Sequence, residues 1–111
     1  MDNIFDGTER VIGLWFGKPL YRRVITISPP TTANTAEDIY SNLTEDIKLI
    51  DGYLLGTSNS KYGLNMYISS NDVICTFIGN NGHNIVQKIS NYQTYLNGTN
   101  YIKIEYTKTT D

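Results

Sequence analysis

Along much of this chain apolar side chains return at every second position. The alternation is clean in Leu64-Asn65-Met66-Tyr67-Ile68-Ser69 and in Tyr101-Ile102-Lys103-Ile104-Glu105-Tyr106-Thr107, which predicts half-buried β-strands. Two further runs, Arg10–Phe16 and Leu20–Ile27, are rich in strand formers and flank Gly17-Lys18-Pro19, so they predict a hairpin. In its second strand Tyr21, Arg23, Ile25 and Ile27 share one face, while Leu20, Arg22, Val24 and Thr26 share the other. Pro19 offers no amide donor and belongs at a strand start or on an edge.

Residues 28–34 read as a loop of Pro, Thr and Asn. Beyond it, Thr35-Ala36-Glu37-Asp38 is a capping pattern followed by Ile39, Leu43 and Ile47 at four-residue spacing, which predicts a helix. Asn42 and Thr44 limit that helix to one or two turns. Asp46–Leu55 predicts a strand bulged at Asp51-Gly52. Ser70-Asn71 turns the chain into a strand from Asp72 to Ile78, and Gly79-Asn80-Asn81-Gly82 turns it again into a weaker strand from His83 to Ile89. Ser90–Asn97 holds Tyr92, Tyr95 and Leu96 ahead of the Asn97-Gly98 turn, and the strand after it faces Ile102, Ile104 and Tyr106 inward. The pattern predicts an all-β fold, an antiparallel β-sandwich of about seven or eight short strands. The N-terminal hairpin and the C-terminal strand belong to its core sheets. Residues 1–9 form a lead-in, and residues 10–111 a single domain.

Composition narrows the class. A chain of 111 residues buries enough surface for a core without staples. The lone Cys75 excludes an internal disulfide, fits assembly in a reducing cytosol, and reads as a small buried hydrophobe in its strand. A net charge of −2 leaves no electrostatic footprint for nucleic acid. No stretch is long and apolar enough for a membrane span, and no signal-peptide pattern opens the chain.

Candidate chemistry is sparse. The single histidine, His83, lies in a polar turn, where a solvated or locally hydrogen-bonded ring is the plainest role. Metal-ligand spacings, a nucleophile elbow and a phosphate-binding glycine pattern are all absent, and Glu37, Asp38, Glu45, Asp46 and Asp51 form no recognisable acid–base pair. The sequence therefore predicts no enzyme and no cofactor. Arg22 and Arg23 point to opposite faces of one strand and cannot form one basic patch. Nine tyrosines, with many asparagines in the turns, are the distinctive feature. Aromatic faces pack against sugar C–H groups and amides bond hydroxyls, so Tyr62, Asn80, Asn81, His83, Tyr92 and Tyr95 are the candidate receptor- or glycan-binding residues, although turns and strands also favour these residue types.

Two segments carry a family resemblance. Val11-Ile12-Gly13-Leu14-Trp15-Phe16-Gly17-Lys18-Pro19-Leu20-Tyr21-Arg22-Arg23 resembles the opening hairpin of a C-terminal domain found on bacteriophage tail-fibre and related virion appendage proteins, and Tyr106-Thr107-Lys108-Thr109-Thr110-Asp111 is similar to that family's terminal signature. The strand around Ile50-Asp51-Gly52-Tyr53 also fits. The family's Asp before Gly-Lys-Pro is missing here, so Phe16 leads straight into Gly17 and the turn is a residue shorter.

The resemblance implies a distal fibre domain, typically a homotrimer, on a virion assembled in the bacterial cytoplasm. Its partners would be other virion proteins and a bacterial surface glycan or protein receptor. Receptor contacts are expected in the middle loops, with Trp15 a core or inter-strand anchor and Gly17-Lys18-Pro19 setting register. The alternative is a trimerisation, capping or decoration module that meets no receptor and buries its tyrosines between subunits.

Overall fold

A computed structural model describes residues 7–91 and 95–111. Among them nine strands form two antiparallel sheets. The strands are β1 (Arg10–Trp15), β2 (Lys18–Ile27), β3 (Glu37–Ser41), β4 (Glu45–Leu55), β5 (Lys61–Gly63), β6 (Met66–Ser69), β7 (Asp72–Gly79), β8 (Asn84–Ile89) and β9 (Asn100–Lys108). One sheet runs β1-β2-β9-β4-β5 and the other β3-β8-β7-β6. They pack as a sandwich, as the alternating pattern predicts.

The core comes from the inward face of each long strand, and in β4 the bulge after Ile47 switches which parity faces inward. Ile25 and Ile27 of β2, Ile102, Ile104 and Tyr106 of β9, and Ile47 and Leu54 of β4 meet Ile74 of β7 and Ile85 and Ile89 of β8. Burying each such aliphatic side chain contributes about 1.5–3 kcal/mol. β9 lies at the centre of its sheet, pairing with β2 from Tyr106 to Asn100 and with β4 from Lys108 to Ile102. Glu9, at the end of the lead-in, is fixed to it as well: the Tyr106 hydroxyl and Lys108 Nζ both donate to its carboxylate.

Four local expectations are corrected. The stretch Thr35–Ile47 is not helical. Ile39 lies in β3, Ile47 in β4, and Leu43 is exposed in the turn between them. Asn42 builds that turn by accepting from the Thr44 amide and hydroxyl, a local bond that competes with helix. The register shift in β4 falls between Ile47 and Leu49, not at Asp51-Gly52, although Gly52 does adopt a φ of +135°.

Cys75 is exposed, because Ile74 and Thr76 take the inward parity of β7. Trp15 is exposed too, because β1 is an edge strand whose side chains are almost all open to solvent. The β1–β2 turn is the two-residue loop Phe16-Gly17, with φ of 47° and 87°. Positive φ at both positions is what the twist of a two-residue hairpin demands, and a bulky aromatic adopts it at a cost in strain.

Candidate functional site

On the outer face of the five-stranded sheet, the parity opposite the core gathers a second set of side chains. Ile25 and Ile102 point inward, so Val24, Tyr101 and Lys103 point outward. Leu54 is inward, so Tyr53 and Leu55 are outward. These strands twist around a groove of about 690 Å³, a size that suits a small ligand or a few sugar rings. Val24, Leu55, Tyr53 and Tyr101 line it with Arg10, Arg22, Asp51 and Lys103, and Asn97, Thr99 and Asn100 close one end. Both tyrosines are about half exposed.

The mouth is held in place. The Asn100 side chain accepts from the Leu55 amide at 2.6 Å and donates to the Asn97 carbonyl at 2.9 Å, while the Asn97 amide donates to the Leu55 carbonyl at 2.9 Å. The charges are largely matched. Arg22 donates through Nε and Nη2 to Glu105 at 3.0 and 2.7 Å, and Lys103 sits 3.5 Å from Asp51. Lys61 Nζ lies 5.8 Å from the Tyr53 ring centroid. Planar aromatic faces, amide groups and paired ions in a pre-formed trough can stack on sugar rings and bond their hydroxyls.

The residues singled out from sequence do not converge. Asn80 and Asn81 are exposed in a 3-10 turn between β7 and β8, both at positive φ, a conformation Asn tolerates. His83 follows, and its Nδ1–H donates to the Glu45 carbonyl at 2.7 Å. That places this group beside the start of β4. Tyr62 lies in β5 opposite Leu54, half-buried against the core, and exposed Tyr95 takes the Thr57 amide on its carbonyl at 2.8 Å. Those two sit at the end of β4, roughly 30 Å away along the strand. Tyr92 lies outside the described residues. Tyr53 and Tyr101 escaped the sequence reading because they sit within strands, yet each is next to an inward apolar residue, Leu54 and Ile102, and that adjacency was the available signal.

A second polar cluster bridges the sheets near the start of β4. The guanidinium of Arg23 donates to the Tyr40 hydroxyl and the Glu45 carboxylate, Tyr40 donates to Glu45 at 2.7 Å, and Asn42 Nδ2 does so at 3.2 Å. Burial and the bond to Glu45 push the Tyr40 hydroxyl up to about 12. Burial and the bond to Glu9 push Tyr106 upward too. Burial works most strongly against the Arg23 charge, but Glu45, Tyr40 and Tyr106 together outweigh it and favour the protonated guanidinium. Glu45 is buried and accepts from Arg23, Tyr40 and Asn42, so its carboxylate ties β2, β3 and β4 together. Among the described residues no three of His, Cys, Asp and Glu gather as metal ligands would, and no helix is long and apolar enough to cross a membrane. No protein-family model matches the chain, and neither a curated protein nor a solved structure matches it.

Proposed function

We propose that this domain is the distal part of a bacteriophage tail fibre or similar virion appendage and attaches it to a bacterial surface receptor, a glycan, without performing chemistry. The observation that carries the reading is the groove on the five-stranded sheet, where Tyr53 and Tyr101 present half-exposed rings beside amide and paired ionic groups. The two terminal motifs that resemble fibre domains supply the biological setting. In a homotrimer three such grooves act together, and several fibres per particle raise the effective concentration further, so a weak single site suffices.

The test is binding of labelled protein to intact cells of candidate hosts, comparing the natural chain with Tyr53→Ala/Tyr101→Ala. The double variant is expected to lose at least tenfold in affinity, since stacking on each ring contributes on the order of 1 kcal/mol or more. Both positions are on the surface, so the fold should persist by circular dichroism. Equal binding by the double variant would overturn the groove as the site. The second reading, a trimerisation, capping or decoration module, is favoured by the exposed apolar side chains of β1. It predicts no cell binding at all.

A further inference from the structure

Along the groove the charges are matched more fully than their hydrogen bonds. Arg22 and Lys103 both line it. The Arg22 guanidinium donates to Glu105 through Nε and Nη2, and among the described residues its Nη1 group, with two N–H donors, meets no acceptor. The Arg22 side chain is 44% exposed and that of Glu105 only 13%. The carboxylate is therefore covered, and the guanidinium is what solvent meets. Lys103 Nζ stands 3.5 Å from an Asp51 oxygen, which is an ion pair beyond ordinary hydrogen-bonding distance. Among the described residues its three N–H donors are likewise unspent.

Strand register gathers these donors around one spot. Lys103 lies directly opposite Val24, and Arg22 is two residues back along β2 on the same face. The guanidinium and the ammonium thus flank the Val24 side chain from two directions. Arg23 turns to the other face, where Glu45 binds it. Asp51 pairs with Lys103 from β4, on the side away from Val24, and its Oδ1 accepts the Gly52 amide at 2.9 Å. Tyr101 is two residues from Lys103 on the same outer face of β9, roughly 7 Å along the strand.

Surface lysines and arginines are ordinarily solvated. Here the two cations stand over an apolar floor, beside a half-exposed ring, in a trough already formed. An oxyanion seated over Val24 receives charge-assisted hydrogen bonds from both, whereas a neutral hydroxyl gains much less.

We infer that the groove takes an anionic saccharide, with a sugar ring stacked on Tyr101 and its carboxylate or phosphate substituent held over Val24 between Arg22 and Lys103. This class of ligand rests on the groove being the receptor site, as proposed above. The chain as a whole carries −2, so attraction to an acidic polymer is local to this trough and screened by salt.

The test applies labelled protein to an array of bacterial oligosaccharides with neutral, uronic-acid-bearing and phosphate-bearing members. Acidic members should bind roughly tenfold tighter than neutral ones of matched length, and added salt should weaken that binding severalfold. Lys103→Gln should lose severalfold on the acidic members. Asp51→Asn removes the opposing charge yet keeps an acceptor for the Gly52 amide, and it should gain. These side chains are 38% and 64% exposed, and shifts in opposite directions do not arise from loss of the fold. A preference for uronic-acid or for phosphate members supports the assignment and identifies the substituent. Neutral members that bind as tightly as acidic ones overturn it and leave the groove as a neutral-sugar site. So does acidic binding that both variants leave unchanged. Binding to no member, or binding that Tyr53→Ala/Tyr101→Ala leaves intact, removes the groove as the receptor site and the anionic ligand with it.

Discussion

Tyr40 shows what a single hydroxyl does at the seam between the sheets. It receives Arg23 and donates to Glu45, and burial holds its proton until about pH 12, above the ordinary value of 10 for a phenol. In the unfolded chain it ionises near 10. Between those values the unfolded state has given up the proton and the folded state has not, so alkali favours unfolding. Its contribution is present in full below pH 10 and disappears as the pH rises through 12. Tyr106, raised in the same direction, adds to the loss. Urea unfolding followed from pH 9 to 12.5 should therefore show a falling midpoint, and Tyr40→Phe should flatten part of that fall. At neutral pH the same variant should cost about 1 kcal/mol, because Glu45 loses one of its donors.

Two strand glycines illustrate how far an element's fate depends on what faces it. Gly52 of β4 adopts a φ of +135°, and a Cβ there would stand 3.4 Å from both Cα and Cγ2 of Ile102. Gly13 of β1 meets nothing within 4 Å. Gly52→Ala should cost about 1–3 kcal/mol in chemical denaturation, and Gly13→Ala should stay within roughly 0.5 kcal/mol.

The same dependence explains which elements were legible in the sequence. β9 could be read outright, since Lys103 and Glu105 separate Ile102, Ile104 and Tyr106 and leave only one possible inward face. β7 could be located but not oriented, because Val73, Cys75 and Phe77 compete with Ile74 for the interior. The four-residue spacing of Ile39, Leu43 and Ile47 imitated a helix, yet its first and last members belong to different sheets. Trp15 has the composition of a core residue, and no local pattern could reveal that its strand lies at the edge of the sheet. The groove was hidden for a similar reason: Tyr53 and Tyr101 come together only once β4 and β9 are neighbours, whereas the loops chosen from composition sit at opposite ends of β4.

For the whole molecule the order of events matters as much as the final arrangement. β2 and β4 flank β9 without touching each other as neighbours in the sheet, and β9 follows every other strand among the described residues. Three of the fully buried side chains, Ile102, Ile104 and Tyr106, arrive with it. Removing residues 100–111 should therefore leave a chain with no cooperative thermal transition by circular dichroism, not a sandwich lacking one strand.

In the cell this arrangement makes synthesis its own inspection. A ribosome that stalls or stops before β9 releases two unjoined halves with their apolar faces open to proteases. Only polypeptides that have been read through that strand can close the core between the two sheets.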